Sequence, residues 1–420
     1  MFTRQKHLSF LLCYSIALLL TAVAVSVAAA EPLGITCSVN GAVHCHSADP
    51  ASFTRCVNGE LHVFQCPGRL QFSTHSQMCD WPLNADCHVQ GETGQSKANP
   101  AMPDTDCQPS RCKPPSCWCP GTLPPGGLSV NSTPQMVMLT FDDEVTATYY
   151  QHFQRLFRAG RNNPNGCPVR GCLFVSDGGT DYGLVRSLYA MGMEVASHTL
   201  SHRHPFNWWA TATYQHFVDE AEGMRRKLVS KARVPYDAVQ GFRVPYLQVG
   251  GDSMYKALYY QNFTYDSSMF RKKEGGEQIW PFTLDFPLPH KFCQLKPCPS
   301  ETYPGLWEIP LQKWYCDDGN SCPMPDGCCL STDIEEDLKF FRSNFKRYYD
   351  FNRAPFGIFI HAGWFNEKLH LEALDHFIDE LLMLEDVYFV TPIQVISWMK
   401  NPTPLDKINS FRPWACETSS

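Results

Sequence analysis

The sequence predicts an α/β protein in which a distorted barrel of seven or eight βα units follows a small, β-rich module stapled by disulfides. Three observations on the 420 residues lead to this prediction. From Met136 onward, short apolar runs alternate with segments of helical periodicity, as in βα units. Near the N-terminus, six of the 20 cysteines crowd into about fifty residues. Residues 88–106, between these regions, are polar and contain no aromatic ring of Phe, Trp or Tyr, as expected of a linker.

Residues 1–30 have the features of a secretory signal peptide. Basic residues precede an apolar run from Leu8 to Ala30, which ends in small side chains before Glu31. We therefore expect a secreted, extracellular protein that has no membrane contact once the signal is cleaved. The run is also long enough to span a bilayer, so an uncleaved signal anchor is the alternative. Cys13 lies within the signal, which leaves an odd number of cysteines and predicts one unpaired thiol.

Composition narrows the classes of partner. The formal net charge is −7 and no long run of one charge occurs, which argues against binding to nucleic acid. The 10 Trp, 17 Tyr and 27 Phe provide stacking surface for an uncharged partner, although most such rings belong to cores. Asn131 and Asn262 begin N-x-S/T sequences and are predicted glycosylation sites if they are exposed. The sequence gives no indication of the oligomeric state.

Six cysteines define the small module, at residues 37–87. They are Cys37, Cys45, Cys56, Cys66, Cys79 and Cys87. A segment of this size buries too little apolar surface to fold without disulfides, and spacing alone does not fix their pairing. We predict that Phe53, Phe72 and Trp81 stack on a sugar face, whereas Phe64 is expected in the interior.

Three parts of this module resemble the peritrophin-A type of chitin-binding domain. They are residues 53–59, Cys66-Pro67-Gly68 with Phe72, and Cys79-Asp80-Trp81-Pro82. The resemblance implies chitin, as polymer or oligomers, as the partner of the module. The position of Cys45 departs from the family pattern, so the pairing of Cys37 with Cys45 stays open.

The remainder of the chain, residues 107–416, is predicted to form the barrel. Eight strands are expected, at 136–141, 172–176, 193–197, 240–244, 263–267, 306–311, 357–361 and 387–391. Helical spacing marks residues 149–157 and 214–228, and Thr332-Asp333-Ile334-Glu335 has the pattern of a capping box. The cysteines from 107 to 119 are interpreted as disulfides in preference to zinc ligands. Those between residues 290 and 330 are interpreted as disulfides that staple surface loops.

Side chains suited to chemistry follow several of these strands. In a βα barrel the active site lies at the carboxyl ends of the strands. Asp142 and Asp143 end the first strand, and two adjacent buried carboxylates need a cation or a shared proton. His198 and His202 are four residues apart, so one helical turn or a tight loop aims both at one point. Two histidines with one carboxylate are typical of catalytic zinc and of some other divalent metals, which leaves one aspartate to move protons.

Six motifs, in order along the chain, resemble those of the polysaccharide deacetylase family (carbohydrate esterase family 4), in the form found in animal chitin deacetylases. Each motif alone is weak, whereas the ordered set is specific. They are T-F-D-D at 140–143, H-T-L-S-H at 198–202, R-V-P-Y at 243–246, Y-D-S-S at 265–268, L-W-E-I-P at 306–310 and F-I-H-A-G-W at 359–364.

The resemblance implies a metal-dependent hydrolase that removes the N-acetyl groups of chitin to give chitosan and acetate. Residues 107–416 would be its catalytic domain. Asp143, His198 and His202 would hold the metal, which would be zinc or another divalent metal such as cobalt. Asp142 would be the general base, and His361 would be the general acid that protonates the leaving amine.

The resemblance also assigns supporting roles. Arg243 would keep the general base ionised and oriented, and the backbone N–H of Tyr246 would face the developing oxyanion of the substrate. Trp307 would line the pocket for the acetyl group or the sugar. For Asp266, two interpretations stay open: it tunes the pair formed by Arg243 and Asp142, or it merely caps a turn.

Two alternatives remain at the level of function. One is a non-catalytic extracellular matrix protein that binds and organises chitin around a relic site, although such a relic would be expected to have lost some of these residues. The other is a deacetylase or esterase that acts on another glycan. Metalloprotease and serine hydrolase chemistry is disfavoured, because the chain lacks the Glu of H-E-x-x-H between His198 and His202 and has no G-x-S-x-G sequence.

Overall fold

The structure is a computed structural model that divides into two compact units, Met1–Asn99 and Pro100–Ser420. It describes residues 37, 42–46, 49, 52–57, 59–66, 71–73, 78–80, 107–270, 278–288, 292–329 and 331–416. The predicted signal peptide, the predicted linker, Trp81 and Cys87 lie outside these residues.

A membrane-crossing helix is not found among the described residues, since none of their helices is both long and apolar enough.

The first unit is a disulfide-bonded β module. Its strands are β1 (Val43–Cys45), β2 (Ser52–Val57), β3 (Glu60–Gln65), β4 (Gln71–Ser73) and β5 (Met78–Asp80). The first three form an antiparallel sheet in chain order, and the last two pair with each other. Cys37 is bonded to Cys56, and Cys45 and Cys66 are also in disulfides. The predicted β-rich, stapled module is confirmed.

The rings of this module are arranged differently from the prediction. Phe53 stacks on Phe72 with a centroid distance of 4.3 Å, and on Phe64 with a distance of 5.5 Å. Phe72 is 1% exposed and fills the small interior, whereas Phe64 is 42% exposed. The sequence predicts that Phe72 stacks on a sugar. A buried ring has no face available for such stacking, so the burial of Phe72 disagrees with this prediction. The position expected in the interior, Phe64, presents the exposed ring instead.

The second unit is built on a curled sheet of nine strands. The strands of this unit, including a separate hairpin of β13 and β14, are β6 (Gln135–Asp143), β7 (Cys172–Val175), β8 (Glu194–Ser197), β9 (Gly241–Phe242), β10 (Tyr265–Asp266), β11 (Phe282–Leu284), β12 (Tyr303–Glu308), β13 (Trp314–Tyr315), β14 (Ser321–Cys322), β15 (Phe356–His361) and β16 (Val387–Phe389). The order across the sheet is β11-β12-β10-β9-β8-β7-β6-β15, and β16 pairs with the start of β6.

All pairings in this sheet are parallel except that of β11 with β12. Within the described residues the path ends at β11 and at β15, so the sheet is a half-barrel that curls without closing. The predicted α/β class and distorted barrel are confirmed, and each of the eight predicted strands is present. Strand β6 lies at the centre of the core because its first eight residues are buried, which matches its continuous apolar run.

Helices connect the strands of the second unit. They are α1 (Ala147–Leu156), α2 (Tyr182–Ala190), α3 (Trp208–Thr211), α4 (Tyr214–Phe217), α5 (Gly223–Lys227), α6 (Gly251–Tyr260), α7 (Ile334–Tyr349), α8 (Lys368–Leu381) and α9 (Pro392–Lys400). Wider π-type turns at Val218–Glu222 and Leu228–Ala232 interrupt the predicted helical segment at 214–228. At α7 the N-cap is Asp333, whose side chain accepts from the Glu335 N–H, so the helix begins without the predicted capping box.

Disulfides staple the loops of this unit as predicted. The pairs are Cys107–Cys119, Cys112–Cys117, Cys167–Cys416, Cys293–Cys298, Cys316–Cys329 and Cys322–Cys328. These sulfur atoms are therefore not available as metal ligands. Cys172 is the free cysteine of the described residues, and it is buried in β7. Both predicted glycosylation sites, Asn131 and Asn262, are exposed.

Candidate active site

A cleft of about 450 Å³ opens at the carboxyl ends of the central strands. Asp142 and Asp143 enter it from the end of β6, and His361 enters from the end of β15, where it lies opposite Asp142 in the strand register. Because parallel strands end at one edge of the sheet, residues far apart in sequence meet there. The rest of the lining comes from the loops after β8 and β9 and from the stapled segment after β14.

Asp143, His198 and His202 form a cluster suited to a metal ion. Oδ1 of Asp143 lies 3.6 Å from Nε2 of His198 and 3.3 Å from Nε2 of His202. Ligand atoms about 2.0–2.2 Å from a tetrahedral metal are roughly 3.3–3.6 Å apart. The three side chains therefore fit a single divalent cation with nitrogen and oxygen ligands. This cluster is also the one group of potential metal ligands in the described residues that is free of disulfides.

The two aspartates point differently because the backbone turns between them. Asp143 has φ 83°, a left-handed conformation that a non-glycine residue rarely adopts. The side chain of Asp142 is buried, whereas that of Asp143 is 29% exposed. Two adjacent carboxylates thus reach separate positions, one beside Arg243 and one beside the two histidines.

The two histidines are oriented by hydrogen bonds to their Nδ1 atoms. His198 Nδ1 donates to the carbonyl of Arg243 at 2.8 Å, which leaves the Nε2 lone pair directed at the cluster. His202 Nδ1 lies 3.3 Å from the Tyr246 hydroxyl, which is also 2.8 Å from Nδ1 of His204. Burial and the neighbouring His198 lower the pKa of His202 to about 4, so its imidazole is neutral near pH 7 and is able to ligate a metal.

The segment from His198 to His202 is a tight loop rather than a helical turn. Thr199 has φ 72° and His202 has φ 43°, both in the left-handed region. The Thr199 hydroxyl accepts from the His202 N–H at 3.2 Å. Glu220 accepts from both the backbone N–H and the hydroxyl of Ser201, at 2.8 and 2.6 Å. These hydrogen bonds stabilise the left-handed backbone conformation that directs the two imidazole rings toward the same point.

Arg243 is a fully buried side chain held on every side. Its Nη1 is 2.5 Å from Oδ1 of Asp142 and 3.0 Å from the Thr140 hydroxyl. Its Nε donates to the Ser267 carbonyl at 2.7 Å, and its Nη2 donates to the Ser267 hydroxyl at 3.0 Å. The guanidinium lies over the ring of Phe174, 3.9 Å from the centroid. This packing fixes the direction from which Arg243 meets the carboxylate.

Asp142 is ionised in this environment. Burial alone would raise its pKa, but the positive charge of Arg243, with a smaller contribution from His361, outweighs burial and lowers the pKa below the ordinary value. Its second oxygen, Oδ2, lies 3.9 Å from Nε2 of His198 and therefore close to the metal cluster. A carboxylate placed in this way is able to accept a proton from a water molecule bound in the cluster.

His361 is paired with Asp326, a residue that the sequence did not single out. Oδ2 of Asp326 accepts from both the backbone N–H and Nδ1 of His361, each at 2.7 Å. Burial lowers the pKa of His361, but the hydrogen bond and charge of Asp326 outweigh burial and raise it to about 9. His361 is therefore a cation near neutral pH, with Nε2 free to donate a proton. Asp326 lies in a Pro-Asp-Gly turn, a pattern that by itself indicates only a loop.

Two predicted site residues are not brought to the cleft. Trp307 is 1% exposed and packs near Trp118, with ring centroids 6.5 Å apart, so it fills the core behind the site. Leu247 and Met324 supply the apolar lining that was expected from Trp307. Asp266 is fully buried in β10 and does not bond directly to either Asp142 or Arg243.

Tyr246 lies at the cleft in a left-handed conformation, with φ 59°. The next two N–H groups, of Leu247 and Gln248, donate to Val244 and Pro245. Among the turn, loop and cap hydrogen bonds of the described residues, none uses the Tyr246 N–H. The position of this N–H at the cleft is compatible with the predicted contact to a substrate oxyanion.

Comparison with known proteins finds two families in this chain. Residues 37–87 match the Chitin binding Peritrophin-A domain, and residues 129–263 match Polysaccharide deacetylase. The chain is 36% identical over 317 residues to Chitin deacetylase 8 of Bombyx mori, covering 74% of this chain and 82% of that protein. It is 31% identical over 412 residues to Chitin deacetylase 1 of Bombyx mori, covering 84% of this chain and 76% of that protein.

Among solved structures, a family 4 acetyl xylan esterase from Clostridium thermocellum in complex with a cobalt ion is similar over 64% of this chain and 93% of that chain. The identity is 14% and the TM-score is 0.38. At these values the resemblance adds nothing to what the two deacetylases of Bombyx mori show.

Proposed function

We propose, because the chain belongs to the chitin deacetylase family, that its cleft hydrolyses the N-acetyl groups of chitin and that the N-terminal module binds the polymer. One observation supports this most strongly. One cleft contains a cluster of potential metal ligands, a carboxylate held by Arg243 and a cationic His361. Metal-assisted hydrolysis of an amide requires these three components. Loss of any one group would leave the reaction without a ligand, a base or an acid.

Asp143, His198 and His202 are proposed to hold a divalent metal. The metal would polarise the amide carbonyl and lower the pKa of a water molecule beside it. Zinc is our first choice and cobalt our second, because two imidazoles and one carboxylate suit either ion. His198 and His202 keep their Nε2 lone pairs on the cluster through the bonds that their Nδ1 atoms make.

Asp142 and His361 divide the proton transfers. Asp142 takes a proton from the attacking water while the water oxygen bonds to the carbonyl carbon. His361 then gives its Nε2 proton to the nitrogen as the C–N bond breaks, so an amine leaves and acetate remains. Arg243 keeps Asp142 ionised, and Asp326 keeps His361 protonated. The reaction must begin with Asp142 deprotonated and His361 protonated. Arg243 and Asp326 favour these two states.

The substrate contacts follow from the lining of the cleft. The Tyr246 N–H is proposed to donate to the oxyanion that forms on the carbonyl oxygen. Leu247 and Met324 are proposed to contact the acetyl methyl group, because they are large apolar side chains in the cleft that also holds the acid and the base. Trp307 has no place in this proposal, since its ring is buried behind the site.

A secreted protein that acts on chitin is favoured over the two alternatives. Seven disulfides among the described residues are consistent with an oxidising compartment. A chitin-organising protein without activity would not need Asp142, His361 and their partners in a complete set. The peritrophin-A match at residues 37–87 favours chitin over another N-acetylated glycan.

The test is acetate release from soluble chitin oligomers of graded length, with and without a chelator. We expect release by the metal-loaded protein, loss of release after chelation and recovery on adding zinc. Release that persists in fully demetallated protein would contradict the metal-dependent mechanism. Binding of oligomers with no release from the metal-loaded protein would support the matrix protein instead.

A further inference from the structure

Two carboxyl side chains, Asp266 and Glu308, lie side by side beneath the cleft. They are direct partners in the parallel register of β10 and β12. Both are fully buried, with 0% exposure. Among the described residues neither one forms an ion pair with a Lys, Arg or His side chain. Two ionised carboxylates in such a place would repel each other in a medium that screens charge poorly.

The hydrogen bonds around the pair leave one carboxylate oxygen of Glu308 without a partner among the described residues. Asp266 accepts from the hydroxyl of Tyr255 at 2.7 Å and from that of Ser268 at 2.5 Å. Glu308 Oε1 accepts from the Met269 N–H at 3.0 Å, whereas Oε2 receives no hydrogen bond from a described residue. An Oε2 that carried a proton would become a donor to the neighbouring Asp266, and the unsatisfied buried atom would gain a partner. Burial, and then the charge of Asp266, raise the pKa of Glu308 well above its ordinary value.

The pair is connected to the proposed general base through two serines. The hydroxyl of Ser268, which donates to Asp266, accepts from the Val244 N–H at 2.9 Å. Ser267 accepts from Nε and Nη2 of Arg243, and its hydroxyl donates to the carbonyl of Ile309, next to Glu308. The segment that holds the guanidinium is therefore bracketed by Asp266 on one strand and by the residue after Glu308 on the other.

We propose that Asp266 and Glu308 share a single proton, and that this pair positions the Ser267–Ser268 segment and, through it, Arg243 against Asp142. Glu308 is a positioning residue, since it lies below the cleft and touches none of the reacting groups. The positioning role rests on the proposed deacetylase function, whereas the shared proton does not. A bare carboxylate pair would push the two strands apart at the point where Arg243 is anchored.

The shared proton makes stability fall as pH rises above the ordinary pKa of a Glu side chain. The charged or titratable groups that face the pair are Tyr255 from α6 and, at longer range, Arg243, the residue that follows β9. The unfolded chain releases this proton near the ordinary pKa of Glu, whereas the folded chain keeps it to higher pH. The free energy of unfolding therefore decreases as pH rises from the ordinary pKa to the raised pKa of the folded chain. Replacing Glu308 by Gln removes this titration and retains a donor to Asp266.

The test compares E308L with E308Q in the full-length protein, with Glu194 as the matched control. Glu194 is also buried in a strand of this sheet, where it accepts from the Tyr265 hydroxyl at 2.6 Å and from the Ile393 N–H, away from the cleft. We expect E308L to lower kcat roughly tenfold or more with a smaller change in KM, because misplacement of a catalytic group acts on the chemical step. E308Q should recover most of that loss, and E194L should lower Tm without a comparable loss of kcat.

Infrared spectroscopy of the protonated-carboxyl band provides a second test, and this test needs no substrate. E308Q should lose a protonated-carboxyl band that E194Q retains, and its Tm should fall less steeply than that of the wild type as pH rises above the ordinary pKa of Glu. If E308L does not fold, these two measurements on E308Q decide the question. An unchanged carboxyl band in E308Q would overturn the shared proton, and a folded E308L with wild-type kcat would overturn the positioning role. A protein that releases no acetate at all would refute the proposed function but leave the infrared result valid.

Discussion

His361 depends on Asp326 for both its direction and its charge. One carboxylate oxygen accepts from the backbone N–H and from Nδ1 of the same histidine, so the ring turns Nε2 toward the cleft. The raised pKa, about 9, keeps the imidazole protonated where amide hydrolysis needs an acid. A general acid is lost as pH rises through its pKa, so activity should decline on the alkaline side.

We predict that D326N moves this alkaline decline of kcat to lower pH, because an amide still accepts a hydrogen bond but no longer stabilises the imidazolium. At pH 7–8 the kcat should fall by roughly tenfold. The measurement is kcat against pH for the wild type, D326N and D317N. Asp317 is an exposed aspartate of the same stapled segment that pairs with Lys339 on the surface, and it serves as the control. If kcat declined at the same alkaline pH in D326N and in the wild type, Asp326 would not set the charge of His361.

At the residue scale, the sequence could identify groups that carry chemistry but not those that support them. The structure brings together six predicted groups, each at the end of a strand or in the loop after one. They are Asp142, Asp143, His198, His202, Arg243 and His361. Asp326 comes from a turn in a stapled loop, where an aspartate is expected for local reasons alone. The sequence could not show whether Trp307 points to the cleft or to the core. Leu306 and Trp307 are both apolar and both buried, so the strand has no alternation of apolar and polar residues that would distinguish its two faces.

The Cys322–Cys328 loop is the element that carries Asp326 and Met324 to the cleft. The chain between the two cysteines is short, so the disulfide limits how far the loop can move from His361. A small closed loop of this size contributes about 2–3 kcal/mol to stability in the chain-entropy description. Its effect on the acid should be larger than its effect on the barrel, since the loop lies outside the sheet.

We predict that C322S/C328S lowers kcat roughly tenfold or more, because misplacing the loop misplaces Asp326. The Tm should fall by only a few degrees. The control is C293S/C298S, which removes a disulfide of similar loop length whose cysteines do not line the cleft. It should lower Tm by a similar amount and leave kcat within about twofold of wild type. Equal losses of kcat in both variants would mean that the first loop has no special relation to the site.

Strands and helices were predictable to different degrees. Buried parallel strands read as continuous apolar runs, and all eight of those predicted in the barrel are present. The edge strand β11 was not predicted, because three residues after a proline give almost no periodicity. The π-type turns between 214 and 232 were equally hidden, since one extra residue per turn shifts an apolar pattern without erasing it.

For the whole molecule, the sequence predicted two parts of different character. A large α/β sheet with its own core needs no disulfides to fold, whereas the module before it depends on them. The packing inside the module was not predictable, because three phenylalanines compete for an interior that holds little more than one ring. The structure buries Phe72, keeps Phe53 between the other two rings and exposes Phe64. Exposure, not residue type, decides which ring can meet a polymer.

The central claim is that two adjacent aspartates perform different tasks, with Asp143 as a metal ligand and Asp142 as the base held by Arg243. The most direct test measures metal content and acetate release together in full-length D142N and D143N. D142N should keep near wild-type metal content and lose activity by roughly 10²- to 10⁴-fold, the range expected for removing a general base. D143N should lose both metal and activity. A D142N protein that loses its metal, or that still releases acetate at the wild-type rate, would contradict this division of roles.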